Sequence, residues 1–383
     1  MEEFTLVMST TNETDVADPN AGETSKVELY IVMVILCIFT IVGTAGNGLV
    51  IYVYSRKKDK LTSTLFILVL AVTDFMTCLI IVPYTIVMEY MGFIIGDHDL
   101  ACKVYQFLIT CNVPFSAFIM AAIAVDRYLC ICHPFLHAMN PFRAKLIVFA
   151  LLILAFSLGT FTSLAFGVYN HKTFNETYTT VNVTSLGNVT RETTIEVTRV
   201  VLNGACAGNT LILSNAILLV YQKVYTSLYA ISFVIVVVLY TLIVYSVLIR
   251  MRMRQRQKRS VLLKCEMSTN SSPSCLPSET VALNGSSLGK NGHSIKDPKG
   301  FKRKASKKDK NVMANLRMAM MLFVVTLVFI VAFLPAFLMA LELIPYSLVV
   351  FYMYFAYNVA NPIIYSFMNR NFRDDLKKIF NCL

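Results

Sequence analysis

Apolar residues along this chain come in unbroken stretches of about twenty positions, where a soluble protein would confine them to one face of each element. A helix rising 1.5 Å per residue needs about 20 such residues to cross roughly 30 Å of hydrocarbon. Seven stretches qualify, at 27–54, 64–90, 103–132, 144–168, 219–249, 313–341 and 346–368. The fifth contains ISFVIVVVLYTLIVYSVLI, with neither charge nor period-two alternation, so helices are predicted and barrel strands are not. The predicted class is an all-α membrane protein, a bundle of seven transmembrane helices.

The segments between and beyond the spans differ in kind. Residues 1–26 form a polar, acidic tail without an apolar run, and the first helix is expected to serve as its own targeting signal. Residues 169–218 make a long loop rich in Thr, Asn and Val, in which TTIEVTRVVLN alternates as a hairpin strand does. Residues 250–312 open with RMRMRQRQKR and close with KGFKRKASKKDK around a Ser/Asn/Gly/Pro-rich centre that is expected to be disordered. Those basic flanks can anchor topology, extend the adjoining helices, bind anionic lipid or meet a partner. In 369–383, Phe372, Leu376, Ile379 and Phe380 fall on one face of a short amphipathic helix, and Cys382 beyond it is placed for palmitoylation.

Composition agrees with a lipid environment: 56% of residues are hydrophobic, 15% are charged and the mean hydropathy is +0.62, which argues against a soluble enzyme. The net charge of +11 is informative through its location. Of 34 Lys and Arg, 28 lie in the segments after spans one, three and five, at the span ends that border those segments, or in the C-terminal tail, which makes those faces cytoplasmic and leaves the N-terminus outside. Charge so placed fits membrane flanks and gives no reason to invoke nucleic acid. The sequons at Asn12, Asn175, Asn182 and Asn188 all fall on the predicted exterior, as N-glycosylation requires. The ten Cys contain no C-x-x-C pair, and neither a P-loop nor a G-x-S-x-G motif occurs, so neither a zinc site nor an enzyme is expected.

Ionisable groups inside hydrocarbon are costly, and each one in a span is a candidate for function. Asp74 lies midway along span two, and Asp126-Arg127-Tyr128 ends span three. The Asp-Arg pair can neutralise itself as a mere interfacial anchor, or its guanidinium can find partners on a neighbouring helix. The polar set of Asn47, Asp74, Ser116, Asn358 and Asn361 fits either a helix-packing hydrogen-bond network or a small hydrated cavity holding a cation. Pro83, Pro114, Pro335 and Pro362 should each kink a helix.

Taken in order, these residues resemble a rhodopsin-like (class A) G-protein-coupled receptor over about residues 27–381. The motifs that carry the resemblance are Gly46-Asn47, Leu70-Ala71-x-x-Asp74, Cys102, DRYLCICHP from Asp126, Phe329 with Pro335, Asn361-Pro362-x-x-Tyr365 and the amphipathic helix 8. The resemblance implies that Asp126 holds Arg127 at rest and that Tyr128, Tyr245, Asn361, Pro362 and Tyr365 take part in activation, with Phe329, Phe333 and Pro335 in transmission. It implies an inhibitory sodium site at Asp74, Ser116 and Asn361, and a disulfide between Cys102 and Cys206. No other cofactor is expected. A heterotrimeric G protein would be the partner, joined by arrestin and a receptor kinase, with Ser306 in a basic-directed kinase site, all at the plasma membrane.

The chain also departs from the family pattern. It has no Trp, so Phe333 stands two residues before Pro335 where Trp is expected; Val237 replaces a proline in span five; and Asn315 replaces an acidic partner for Arg127. These differences point to raised basal signalling. Ile109 stands where amine receptors hold an Asp, and Phe355 where a photoreceptor holds a Lys, which disfavours both of those ligand classes. A peptide is the favoured ligand, against a lipid, another small molecule or none. The candidate pocket residues are Glu89, Gln106, Ile109, Phe333, Phe337, Glu342, Phe351 and Phe355. A transporter or channel would show inverted repeats or a polar-lined pore, and neither pattern is evident.

Overall fold

The computed structural model describes residues 21–57, 61–133, 139–178, 193–268, 307–341 and 343–380. Seven of its helices are long and apolar enough to cross a membrane: α1 (Ala21–Ser55), α2 (Thr62–Tyr90), α3 (Asp99–Cys132), α4 (Pro141–Ala165), α5 (Asn215–Ser268), α6 (Lys307–Ala340) and α7 (Leu348–Met368). Strands β1 (Phe166–Tyr178) and β2 (Thr193–Gly208) pair between α4 and α5, and α8 (Arg370–Phe380) ends the described chain. The chain is thus a multi-pass membrane protein, mostly helical, with one hairpin added to the predicted helices.

The outward faces explain why the apolar stretches lack a polar side. On α4, Leu146, Phe149, Ile153 and Phe156 recur at helical spacing and are all exposed, as are Val34, Ile38 and Ile41 on α1. In water such stripes would demand a partner; in hydrocarbon they need none. Helix α3 runs through the interior instead, packing against α2, α4, α5 and α6. Its buried residues continue from Cys102 to Ile131.

Local chemistry sets several boundaries. Asn140 caps α4 by accepting the Arg143 N–H at 2.8 Å, with Pro141 at the first helical position, where its missing N–H costs nothing. That helix stops at Ala165, short of the predicted 168, because Phe166 onward enters the hairpin. Helix α2 widens into a π turn at Thr77–Ile81 just before Pro83, so the proline is met by a local change of helix type. Helix α7 tightens to a 3-10 turn at Met353–Phe355, while Pro114, Pro335 and Pro362 lie inside α3, α6 and α7. Helix reaches into the segment 250–312 from both sides, through Ser268 and again from Lys307, as extension of the adjoining helices by its basic flanks allows.

The hairpin is antiparallel, from Phe166 opposite Gly208 to Tyr178 opposite Thr193, with a bulge between Gly167 and Tyr169. Three devices tie it to the bundle. Cys206 is disulfide-bonded to Cys102, Asp99 Oδ1 accepts the Val168 N–H at 3.1 Å, and the Gly204 carbonyl accepts the Ile95 N–H at 2.7 Å. Gly204 has φ +72°, a left-handed conformation that a side chain would strain. At the opposite end, Asn369 starts α8: its side-chain oxygen accepts the Phe372 N–H at 3.2 Å and its amide donates to Tyr54 Oη at 2.7 Å. Phe372 is buried against Tyr54 and Tyr365, which fixes the apolar face of α8 against the bundle.

Candidate functional site

The polar residues of the spans are buried on facing helices. Asp74 on α2 is fully buried, and its Oδ2 accepts from Asn361 Nδ2 on α7 at 2.6 Å. Tyr357 on α7 stands beside both Asp74 and Ser116 of α3. Asn47 on α1 donates to the carbonyls of Gly43 and Asn358, at 3.0 and 2.8 Å. Close approach makes this possible, since a Cβ at Gly46 would come within 3.0 Å of Pro362 and one at Gly43 would collide with the Cys78 sulfur. Among the described residues, Asp74 Oδ1 and Asn358 Oδ1 are buried without a hydrogen-bond partner, and the buried Ser116 hydroxyl has the Tyr357 hydroxyl as its polar neighbour. A buried carboxylate oxygen left unpartnered is what a hard monovalent cation takes as a ligand, so Asp74 Oδ1 with the nearby Ser116 hydroxyl fits sodium, while the Asn361 amide N–H is already given to Asp74. Among the described residues, no three His, Cys, Asp or Glu converge as a transition metal would require.

At the α8 end, Asp126 and Arg127 are both buried, at 2% and 5% exposure. Arg127 Nε and Nη2 both donate to Asp126 Oδ2, the former at 3.0 Å, and Thr62 Oγ1 at the start of α2 donates to Asp126 Oδ1 at 3.0 Å. The guanidinium thus has its counter-charge next to it, and the carboxylate is satisfied from two helices. Tyr240 on α5 lies near the pair and packs on Phe323 of α6. Tyr128 Oη is 3.2 Å from His133 Nε2. Tyr245 faces outward at 64% exposure while Tyr365 is buried beside Tyr54, so these two tyrosines do not meet Arg127 in this arrangement.

Between the two ends runs an aromatic column. Phe333 packs on Phe329 at 4.6 Å, on Tyr357 at 5.0 Å and on Tyr354 at 5.3 Å, and Phe337 lies 5.6 Å from Tyr229. Pro335 sits within α6 between those two phenylalanines. A cavity of about 140 Å³ opens between α5 and α6, lined by Tyr229, Phe233, Val234, Phe333, Leu334 and Phe337.

Toward the hairpin end, Glu89 on α2 accepts a hydrogen bond from Tyr352 on α7. Gln106 is buried with its amide nitrogen unpartnered among the described residues. Phe351 packs edge-on against Tyr352, at 5.2 Å. Ile109 and Phe355 are core residues, 8% and 1% exposed, with Phe355 stacked parallel to Tyr352. Asn175 lies on β1 opposite Glu196. Asn12, Asn182, Asn188, Ser306, Glu342 and Cys382 fall outside the described residues. Tyr352, Tyr357, Tyr240 and Thr62 were not singled out from the sequence. Tyrosines are too numerous here, 19 in all, for one to stand out, and the role of Thr62 depends on a contact 64 residues away.

Comparison with known proteins places this arrangement. Residues 46–365 match the family described as "7 transmembrane receptor (rhodopsin family)". Among curated relatives, the octopressin receptor of Octopus vulgaris is 37% identical over 103 residues, 27% of this chain and 24% of that protein. The neurotensin receptor type 1 of Rattus norvegicus is 32% identical over 137 residues, 33% of this chain and 31% of that protein. The galanin receptor type 2 of Homo sapiens is 36% identical over 126 residues, 30% of this chain and 32% of that protein. The chain thus spans about a quarter to a third of the length of the curated relatives it matches.

Proposed function

The chain belongs to the rhodopsin family of seven-transmembrane receptors, a signalling family and not an enzyme family, and from that premise we propose that it couples binding of an extracellular peptide to activation of a heterotrimeric G protein. The observation that carries this reading is the buried Asp126–Arg127 pair at one end of the bundle, with a disulfide-tethered hairpin at the other and a polar and aromatic column between them. The peptide class draws support from the relatives, whose names include octopressin, neurotensin and galanin receptors. In this reading the hairpin and the N-terminus face outward and α8 lies on the cytoplasmic leaflet.

Ligand binding acts here as bias on a two-state element, since a ligand shifts an equilibrium only by its difference in affinity for the two states. In the arrangement seen, Asp126 neutralises Arg127 and holds it against α3. Release of that pair frees five guanidinium donors to meet the G protein, with Tyr245 and Tyr365 moving in to support the open form. Asp74, Ser116 and Asn361 would hold a sodium ion that favours the closed form. Arrestin and a receptor kinase act on the inner loop, where phosphate on Ser306 cuts the local positive charge. Cys382 carries a palmitoyl chain and the exterior sequons carry glycans.

The test is expression of the full chain in cells with recording of cAMP and calcium as a library of amidated peptides is applied, beside Arg127→Ala at matched surface level. A peptide response lost in Arg127→Ala is the expected result. Responses of equal size in the variant would contradict coupling through this pair.

A further inference from the structure

Glu89 is half-buried, and the one hydrogen bond its carboxylate receives among those described comes from the Tyr352 hydroxyl. Tyr105 on α3 and Tyr346 just before α7 lie within electrostatic reach of the same carboxylate, and Tyr346 is also within reach of Glu28 on α1. Two sets of rings stand around it: Tyr84 meets Tyr105 edge-on at 5.3 Å, and Phe351 lies 5.8 Å from Tyr346 and 5.2 Å from Tyr352. Other exposed-end acids have found cations, Asp99 with Lys103 and Asp375 with Lys57. Among the described residues, no Lys or Arg pairs with Glu89 or Glu28.

A carboxylate half out of water with only a phenol for company lacks a counter-charge, and tyrosine faces attract cations. A second observation points to an occupant. Gln106, the residue after Tyr105, is 4% exposed with its amide nitrogen unpartnered among the described residues, a donor waiting for an acceptor such as a peptide carbonyl. Charge on the whole outer side agrees. The tail and loops assigned to that side, with the helix ends that bear Glu28 and Glu89, carry fourteen of the 23 Asp and Glu but six of the 34 Lys and Arg, although the chain as a whole is basic. Such a surface draws in cationic ligands.

We propose that Glu89, hydrogen-bonded by Tyr352 and sharing the half-exposed Tyr346 with Glu28, is the anchor for a guanidinium group of the ligand. The proposal rests on the reading that the hairpin end is the ligand mouth. Guanidinium fits better than ammonium because its plane stacks on aromatic faces while its fork pairs with a carboxylate.

The test uses purified full-length receptor in nanodiscs and two probes, N-acetyl-arginine amide and its uncharged isostere N-acetyl-citrulline amide, with thermal unfolding as the readout. The expected result is a saturable rise in Tm with the arginine probe at a midpoint about tenfold lower than with citrulline, and an arginine midpoint raised about tenfold in Glu89→Gln. Tyr352→Phe, which keeps both ring and charge, should retain the arginine effect. Glu28→Gln, which leaves the Tyr352 contact intact, should weaken it, and it serves if Glu89→Gln fails to fold. Equal midpoints for the two probes, or an arginine midpoint unchanged in both glutamate variants, would overturn the proposal. Arginine binding in a receptor that no peptide activates would leave the cation site standing and remove the signalling reading. Peptide activation without arginine discrimination would do the reverse.

Discussion

A carboxylate with no water around it survives only if its neighbours replace that water, and Asp74 is the clearest case in this chain. Asn361 supplies one hydrogen bond at 2.6 Å, and the second carboxylate oxygen remains unpartnered among the described residues, with Tyr357 standing beside both Asp74 and Ser116. If sodium fills that position, the wild-type receptor should melt several degrees higher in sodium chloride than in choline chloride at equal ionic strength. Asp74→Asn should melt at the same temperature in both salts. A sodium effect that survives the substitution would show that the ion binds elsewhere. Asp74 and the Asp126–Arg127 pair were legible in the sequence because charge inside an apolar stretch is rare enough to stand out. The partners were less legible. Thr62, Tyr352 and Tyr357 are ordinary residues whose importance arises from helices that meet only in three dimensions.

At the level of elements, the seven apolar stretches foretold seven helices because the membrane imposes one length and one backbone solution on all of them. Endings were harder to read. Hydropathy does not register that Phe166 leaves α4 for a strand, nor that α2 widens at Thr77–Ile81 ahead of Pro83. The alternation in TTIEVTRVVLN did mark a strand, but its partner β1, with His, Lys and Asn among its residues, carries a weaker pattern. The hairpin is held chiefly by one covalent tie across a sequence separation of 104 residues. Loop-closure entropy puts the stabilisation from such a tie at about 5 kcal/mol. Cys102→Ser should therefore lower the Tm by 10 °C or so, on the order of 2–4 °C per kcal/mol for a chain of this size, and abolish peptide responses. Measurement of Tm and surface expression in Cys102→Ser and Cys206→Ser settles the point, since equal losses in both single variants and in the double variant are expected. Full peptide responses in either variant would mean that the hairpin is positioned without the bond.

Across the whole molecule the two ends of the bundle carry different chemistry. Toward the hairpin, Glu89 accepts from Tyr352; at the α8 end, the Arg127 guanidinium is hydrogen-bonded to its neighbouring carboxylate; between them, Phe333 packs within 5.3 Å of three aromatic rings. If the absence of Trp, with Val237 and Asn315 in place of a proline and an acid, leaves the closed form with fewer restraints, as we propose from the family pattern, the receptor should show measurable activity without ligand. The most direct test is guanine-nucleotide exchange on purified heterotrimeric G proteins by the purified receptor in nanodiscs, without ligand, compared with Arg127→Ala and with empty nanodiscs. The account predicts exchange several-fold above empty nanodiscs for the wild type with at least one G-protein class, and exchange at the empty-nanodisc rate for Arg127→Ala. Exchange by Arg127→Ala equal to a raised wild-type rate, or a wild-type rate no higher than that of empty nanodiscs with every G-protein class and with every peptide tried, would contradict it.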